Sequence, residues 1–156
     1  MLESLLAPPF AADPPVKLNV PAKTLGLILA ILGAIGALFG ILGVFALLGL
    51  SALVAPYAGI FLLAVIGVII GEIGTVVGAW GGYQMYQEKR EGKTFAIYGV
   101  LINVVGSLIA AIGGSGGLVG WILGALVSFV IYYLIVISRF PGEPPLVAIT
   151  PGPSGT

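Results

Sequence analysis

The chain has 156 residues, of which six are basic and six acidic, so its formal net charge is zero and only 8% of its residues are charged. With 59% hydrophobic residues and a mean hydropathy of +1.19, it lacks the polar surface of a soluble domain, and composition predicts a polytopic helical membrane protein. Cysteine and histidine do not occur, which excludes disulfides, Cys/His metal and haem ligands, and catalysis by either side chain. The absence of net positive charge also argues against nucleic-acid binding.

Residues 1–24 precede the first long apolar run and are rich in proline. Proline fixes φ and removes a backbone donor, so this segment is predicted to be an extended, polyproline-like arm. It contains no apolar run long enough for the core of a signal peptide.

The first two apolar segments predict membrane spans at about 25–53 and 57–86. In each span, glycines recur at steps of three and four residues and so mark one face of a helix. They are Gly33, Gly36, Gly40 and Gly43 in the first span, and Gly67, Gly71, Gly74 and Gly78 in the second. Small residues at this spacing allow another helix to approach closely, so both faces are interpreted as helix-packing seams.

A charged loop at 87–94 follows, and two further spans are predicted at about 95–112 and 118–138. The third span has Gly99, Asn103 and Gly106 on one face, and the fourth has Gly120 and Gly124. These positions predict two more packing seams. Residues 139–156 form a second proline-rich segment, which is predicted to be a cytoplasmic tail.

Together these elements predict an all-α integral membrane protein with four transmembrane helices in hairpin order, packed as a glycine-seamed antiparallel bundle over residues 25–138. The stretch that begins at Lys23 can be aligned with the stretch that begins at Lys93, which places Gly36 opposite Gly106. This alignment suggests a tandem repeat of two hairpins.

The basic residues predict the orientation of the bundle. All six lie in the two terminal segments or in the 87–94 loop, and they are Lys17, Lys23, Lys89, Arg90, Lys93 and Arg139. In hairpin order these segments share one side of the membrane. By the positive-inside rule, the chain is predicted to be a multi-pass protein of the cell (inner) membrane with cytoplasmic N- and C-termini.

Glu72 is the one charged residue within the predicted spans, near the middle of the second. A carboxylate at that depth costs several kcal/mol unless it is neutral, paired or hydrated, so Glu72 is a candidate functional residue. Thr75 and Asn103 are the polar residues expected near it. One interpretation assigns Glu72 to proton or cation handling. The other assigns it to helix packing, through a hydrogen bond within the chain or to another subunit.

The sequence predicts a protein that is not an enzyme, because one membrane carboxylate without histidine, cysteine or a second acid supplies no acid–base pair and no activated nucleophile. No metal or cofactor site is predicted. The preferred hypothesis is a non-catalytic accessory subunit of a larger membrane complex, packed on other integral membrane subunits through its helix seams and proline-rich arms. One alternative is a small homo-oligomeric channel or transporter for protons or cations that uses Glu72. A second is a scaffold protein whose glycine grooves hold lipid or quinone chains.

Overall fold

The computed structural model describes residues 6, 8–11, 14–50, 58–115 and 117–144, and four long α-helices dominate that part of the chain. These helices are α1 (Ala22–Leu50), α2 (Ala58–Tyr86), α3 (Glu91–Ile112) and α4 (Gly117–Ile137), and a short 3-10 turn at Pro9–Ala11 precedes them. Each of the four is long and apolar enough to cross a membrane. The shortest has 21 residues and spans about 30 Å, the thickness of a hydrocarbon core. The predicted set of four apolar helices is therefore confirmed.

Two helices begin earlier than the sequence pattern indicates. α1 begins at Ala22, directly after Pro21, whose carbonyl accepts a hydrogen bond from Leu25 N at 3.1 Å. α3 begins at Glu91, so charged residues of the predicted loop form its first turn, where an acidic side chain favours the helix dipole. The predicted turn between the first two spans, 51–57, and the tail from residue 145 lie outside the described residues.

α2 and α3 pack most closely, along nearly their whole length. A Cβ atom added to Gly74 would lie 2.8 Å from the carbonyl oxygen of Gly99, and one added to Gly81 would lie 2.7 Å from Cα of Ala96. At the other end of the same interface, a Cβ on Gly67 would meet the backbone of Ala110. Backbones this close leave no room for a side chain, which is why glycine occupies these positions.

α1 packs on a second face of α2. A Cβ added to Gly26 would lie 2.6 Å from Gly82 O, and one added to Gly33 would lie 2.7 Å from Cβ of Ala79. α2 therefore lies between α1 and α3, while α4 packs mainly on α3 and touches α1 only briefly.

One end of the bundle is closed by apolar packing and by contacts between the two terminal segments. Its core contains Ala22 and Leu25 of α1, Met85 of α2, Ile97 of α3 and Ile135 of α4. Beside this core, Pro21 and Arg139 form a parallel β-bridge. Arg139 N donates to Val20 O at 2.9 Å, and Ala22 N donates to Arg139 O at 2.8 Å. We call this region the closed end.

The described part of the N-terminal segment lies against α4 of the same chain. The ring of Phe10 stacks on Tyr133 with their centroids 5.8 Å apart. Tyr133 OH donates a hydrogen bond to Val16 O at 2.7 Å and accepts one from Val16 N at 3.1 Å. These contacts hold the last turns of α4 near the closed end. Binding of the arm to other proteins stays a prediction.

Away from the closed end, the helices present large apolar side chains outwards. Phe39 and Phe45 of α1 are 66% and 67% exposed, and Val119 of α4 is 74% exposed. A surface of this kind is unfavourable in water but compatible with a hydrocarbon environment.

Candidate functional site

A cavity of about 450 Å³ lies between α2, α3 and α4, towards the end opposite the closed end. Its walls combine small residues with polar side chains. The residues that line it are Gly67, Val68, Gly71, Glu72, Thr75, Asn103, Ser107, Ala110, Ala111, Ser115, Gly120, Trp121, Gly124 and Ser128. The predicted polar candidates therefore lie around one space.

Glu72 borders this cavity from α2. Its carboxylate lies directly against Gly40 of α1, and a Cβ atom at Gly40 would overlap it. Glu72 Oε1 is buried, and no described residue donates a hydrogen bond to it. The side chain also borders an apolar groove between α1 and α2, beside Ile41 and Phe45. Within the described chain, the carboxylate thus has close neighbours but no hydrogen-bonding partner for Oε1.

Thr75 and Asn103 bond to each other rather than to Glu72. Asn103 Nδ2 donates to Thr75 Oγ1 at 3.0 Å and to Gly71 O at 3.1 Å, and Thr75 Oγ1 donates to Gly71 O at 3.1 Å. The amide therefore links α3 to α2 at a point where both backbones are close. Hydrogen bonds of this kind between membrane helices contribute roughly 0.6 kcal/mol on average.

The side chains of Thr75, Asn103 and Ser107 use their donor groups in hydrogen bonds within the chain, but not all of their capacity to accept hydrogen bonds. The Asn103 amide nitrogen and the Thr75 hydroxyl both donate within the cluster, and Ser107 Oγ donates to Val104 O at 2.9 Å. Glu72, Asn103 and Ser107, which all line the cavity, have side-chain oxygens that can accept further hydrogen bonds. The cavity consequently suits a group that donates hydrogen bonds.

The α4 wall of the cavity is made of small residues and one anchored tryptophan. Trp121 Nε1 donates to Val104 O of α3 at 3.2 Å, which fixes that point of α4 against α3. Around it, a Cβ added to Gly120 or Gly124 would have nothing within 4 Å. The glycine face of α4 thus lines the cavity without touching another helix in the described structure.

A second cavity of about 240 Å³ adjoins the first on the side of the closed end. It shares Thr75, Asn103 and Ser128 with the larger cavity, and it extends to Leu32 and Gly33 of α1. The polar cluster therefore lies where α1, α2, α3 and α4 all contribute to the walls.

The glycines singled out from the sequence fall into two groups. Those in contact with a neighbouring helix are Gly33, Gly36, Gly40, Gly67, Gly71, Gly74, Gly78, Gly99 and Gly106. Those at which an added Cβ would meet nothing within 4 Å are Gly43, Gly120 and Gly124. In this second group, Gly43 lies on α1 far from the closed end, and Gly120 and Gly124 lie on α4.

Several residues of the larger cavity were not among the candidate site residues, and the polar or aromatic ones among them are Ser107, Ser115, Trp121 and Ser128. Ser107 follows Asn103 by one helical turn, so the helical period could have placed it on the same face. Ser128 follows Gly124 by four residues, as Gly124 follows Gly120, so it continues the spacing of small residues on α4. Trp121 gives no such signal, because an aromatic residue near a helix end is equally typical of an interfacial anchor.

Comparison with protein-family models, with curated proteins and with solved structures finds no match to this chain. In the residues that the structure describes, no group of acidic side chains is arranged to hold a metal ion. The helix faces and the cavity therefore provide the basis for a functional proposal.

Proposed function

We propose that this protein is a non-catalytic accessory subunit of a larger membrane protein complex and that it receives a transmembrane helix of a partner subunit between α1 and α4. The observation that carries this proposal is the glycine face of α4, against which no helix of the described structure packs. Small residues on membrane helices permit close backbone approach, and they are enriched at helix interfaces. Equivalent faces on α2 and α3 are occupied in this way by each other.

The shape of the bundle supports the same proposal. α1 and α4 are buried mainly at the closed end, through Ala22 and Leu25 on one helix and Ile135 to Ile137 on the other. Elsewhere both helices expose most of their side chains, and Gly43 and Gly124 have open space in front of them. A helix placed between them would cover small residues on both walls.

The proposal includes a glycine-seamed antiparallel bundle in hairpin order, located in the cell membrane with cytoplasmic termini. The distribution of the six basic residues supports this orientation. The tandem repeat of two hairpins stays a prediction. α3 packs on α4, as the repeat requires, but less extensively than α1 packs on α2.

The orientation can be tested by labelling single cysteines, since the chain has none of its own. A cysteine in place of Lys89 should react with a membrane-impermeant maleimide only after the cells are opened. A cysteine in place of Ser115 should react in intact cells. The reverse pattern would contradict the proposed orientation, and labelling of both positions in intact cells would contradict the hairpin order.

The helix-docking proposal predicts that Gly124→Leu prevents assembly without unfolding the chain. The new side chain has free space within the subunit, because nothing lies within 4 Å of an added Cβ, but it would occupy the path of a partner helix. Native mass spectrometry after purification in mild detergent should show a partner in defined stoichiometry with the wild type. With Gly124→Leu, we expect at least a tenfold loss of that partner.

Val127→Leu is the matched control, because Val127 is 60% exposed on α4 and does not line the cavity. It should retain the partner. A wild-type chain that purifies as a lone monomer, or a partner that remains bound to Gly124→Leu, would contradict the proposed function.

A further inference from the structure

We infer that the partner helix carries a lysine whose ammonium group pairs with Glu72 where that residue borders the cavity. This inference rests on the proposed function, since it names the chemistry of the helix that enters between α1 and α4. It follows from three observations: the Glu72 carboxyl group, whose Oε1 has no donor among the described residues, the surplus of hydrogen-bond acceptors around the cavity, and the small residues on its α4 wall.

Among the described residues, no lysine or arginine pairs with Glu72. The sequence contains no lysine or arginine between Lys23 and Lys89, or between Lys93 and Arg139. The ion pairs in the described structure, Lys23 with Glu88 and Arg90 with Glu143, use residues at or near the closed end. A carboxylate within an apolar helix is costly without a partner, so a counter-charge from outside the chain would stabilise it.

The hydrogen-bonding groups around the cavity favour an ammonium group over other partners. An ammonium has three donors and no acceptor. Three side chains at the cavity, Glu72, Asn103 and Ser107, have acceptor oxygens, while the donors of Asn103 and Ser107 are used within the chain. A hydroxyl or amide partner would bring an acceptor of its own, for which these side chains offer no unused donor.

The walls of the cavity explain why a helix, rather than a soluble ligand, would deliver this group. Gly120 and Gly124 on α4 have nothing within 4 Å of an added Cβ atom, so this wall leaves space for a helix backbone. A lysine stem of four carbons can lie along such apolar walls while its charged end reaches a polar group. This chain therefore offers a surface on which a partner helix can pack and a carboxyl group with which a lysine of that helix can pair.

A designed peptide tests this inference without the natural partner. The full-length chain is placed in lipid nanodiscs with a synthetic transmembrane peptide of leucine and alanine that carries one central lysine. A second peptide has norleucine at that position, which keeps the stem and removes the charge. Association is measured by energy transfer between dyes on the chain and the peptide. We expect saturable binding of the lysine peptide, and binding of the norleucine peptide about ten- to a hundredfold weaker.

Three variants sharpen the test. Glu72→Gln is nearly isosteric and should remove the preference for lysine. Glu72→Asp retains the charge and should keep a preference for lysine over norleucine. Glu88→Gln, which changes an exposed carboxylate paired with Lys23, should behave like the wild type.

The outcomes separate this inference from the proposed function. If both peptides bind equally and Gly124→Leu blocks both, helix docking stands and the lysine pairing is overturned. If Glu72→Gln leaves the lysine preference unchanged, the pairing is also overturned. If n-hexylammonium alone binds in a Glu72-dependent way while neither peptide does, the occupant is a small cation and the helix-borne lysine is overturned.

Discussion

Replacement of Gly99 by valine should strongly destabilise the bundle. A Cβ atom at Gly99 would overlap the backbone of Gly78 and lie 2.7 Å from Gly74 O. The obstructing atoms are backbone, so no side-chain rotation can relieve the clash, and α2 and α3 would have to separate. Overpacking of a core usually costs about 1 to 3 kcal/mol. Here we expect at least the upper end of that range, because the contact lies in the most extensive helix interface.

The measurement is the midpoint of unfolding by sodium dodecyl sulfate, followed by circular dichroism in mixed micelles. Gly124→Val provides the matched control: it makes the same chemical change on a helix face where nothing lies within 4 Å of the added Cβ. The wild type and Gly124→Val should unfold at similar detergent fractions, and Gly99→Val well below them. Equal stability of the two variants would show that α2 and α3 are not in backbone contact.

Replacement of Lys93 by methionine should loosen the closed end. Lys93 Nζ donates to the carbonyl oxygens of Val136, at 3.3 Å, and Ser138, and it lies 5.7 Å from the centre of the Phe140 ring. The ammonium therefore joins the start of α3 to the end of α4 and satisfies carbonyls that have no partner further along the helix. Loss of charged hydrogen bonds of this kind costs about 1.5 to 3 kcal/mol.

Hydrogen exchange measured by mass spectrometry would locate this effect. Peptides from the end of α4 should exchange faster in Lys93→Met, whereas peptides from the middle of α2 should not change. Lys89→Met, which alters an exposed lysine of the same loop, should leave both regions as in the wild type. Unchanged protection at the end of α4 in Lys93→Met would rule out the proposed role of the ammonium.

The number and length of the helices could be predicted because they depend on a local property, long runs of apolar residues free of charge. The exact ends of the helices were harder to predict. α3 extends back to Glu91 because charged residues can form the first turn of a helix as well as a loop. α1 extends back to Ala22, and Pro21 could have marked this start, since proline favours the start of a helix over its interior.

The pairing of helix faces could not be predicted, because a row of small residues marks a face without naming its partner. α2 uses two faces: Gly74 and Gly81 meet α3, while Ala79 and Gly82 meet α1. The second of these rows contains fewer glycines and gave no distinct signal. Gly120 and Gly124 have the spacing of a packed seam and yet line a cavity, which depends on where Trp121 anchors α4.

Glu72 was identified from the sequence because a carboxylate within an apolar span is energetically costly, but the arrangement of the residues around it was not predicted. Thr75 and Asn103 were expected as its partners because of their depth, whereas they bond to each other across α2 and α3. The positions of the three side chains explain why Thr75 and Asn103 bond to each other and not to Glu72. Asn103 Nδ2 reaches both Thr75 Oγ1 and Gly71 O from one position, while the Glu72 carboxylate lies on the α1 side of α2, against Gly40.

The hydrogen bonds that join Val20 and Ala22 to Arg139 also have a consequence for biosynthesis. They connect residues at the start of α1 with the residue that follows the end of α4 by two positions. Because a chain is synthesised from its N-terminal side, all four helices are made before Arg139. The closed end is therefore completed only after synthesis of the last helix, and its parallel pairing distinguishes a chain that contains all four helices from a shorter nascent one.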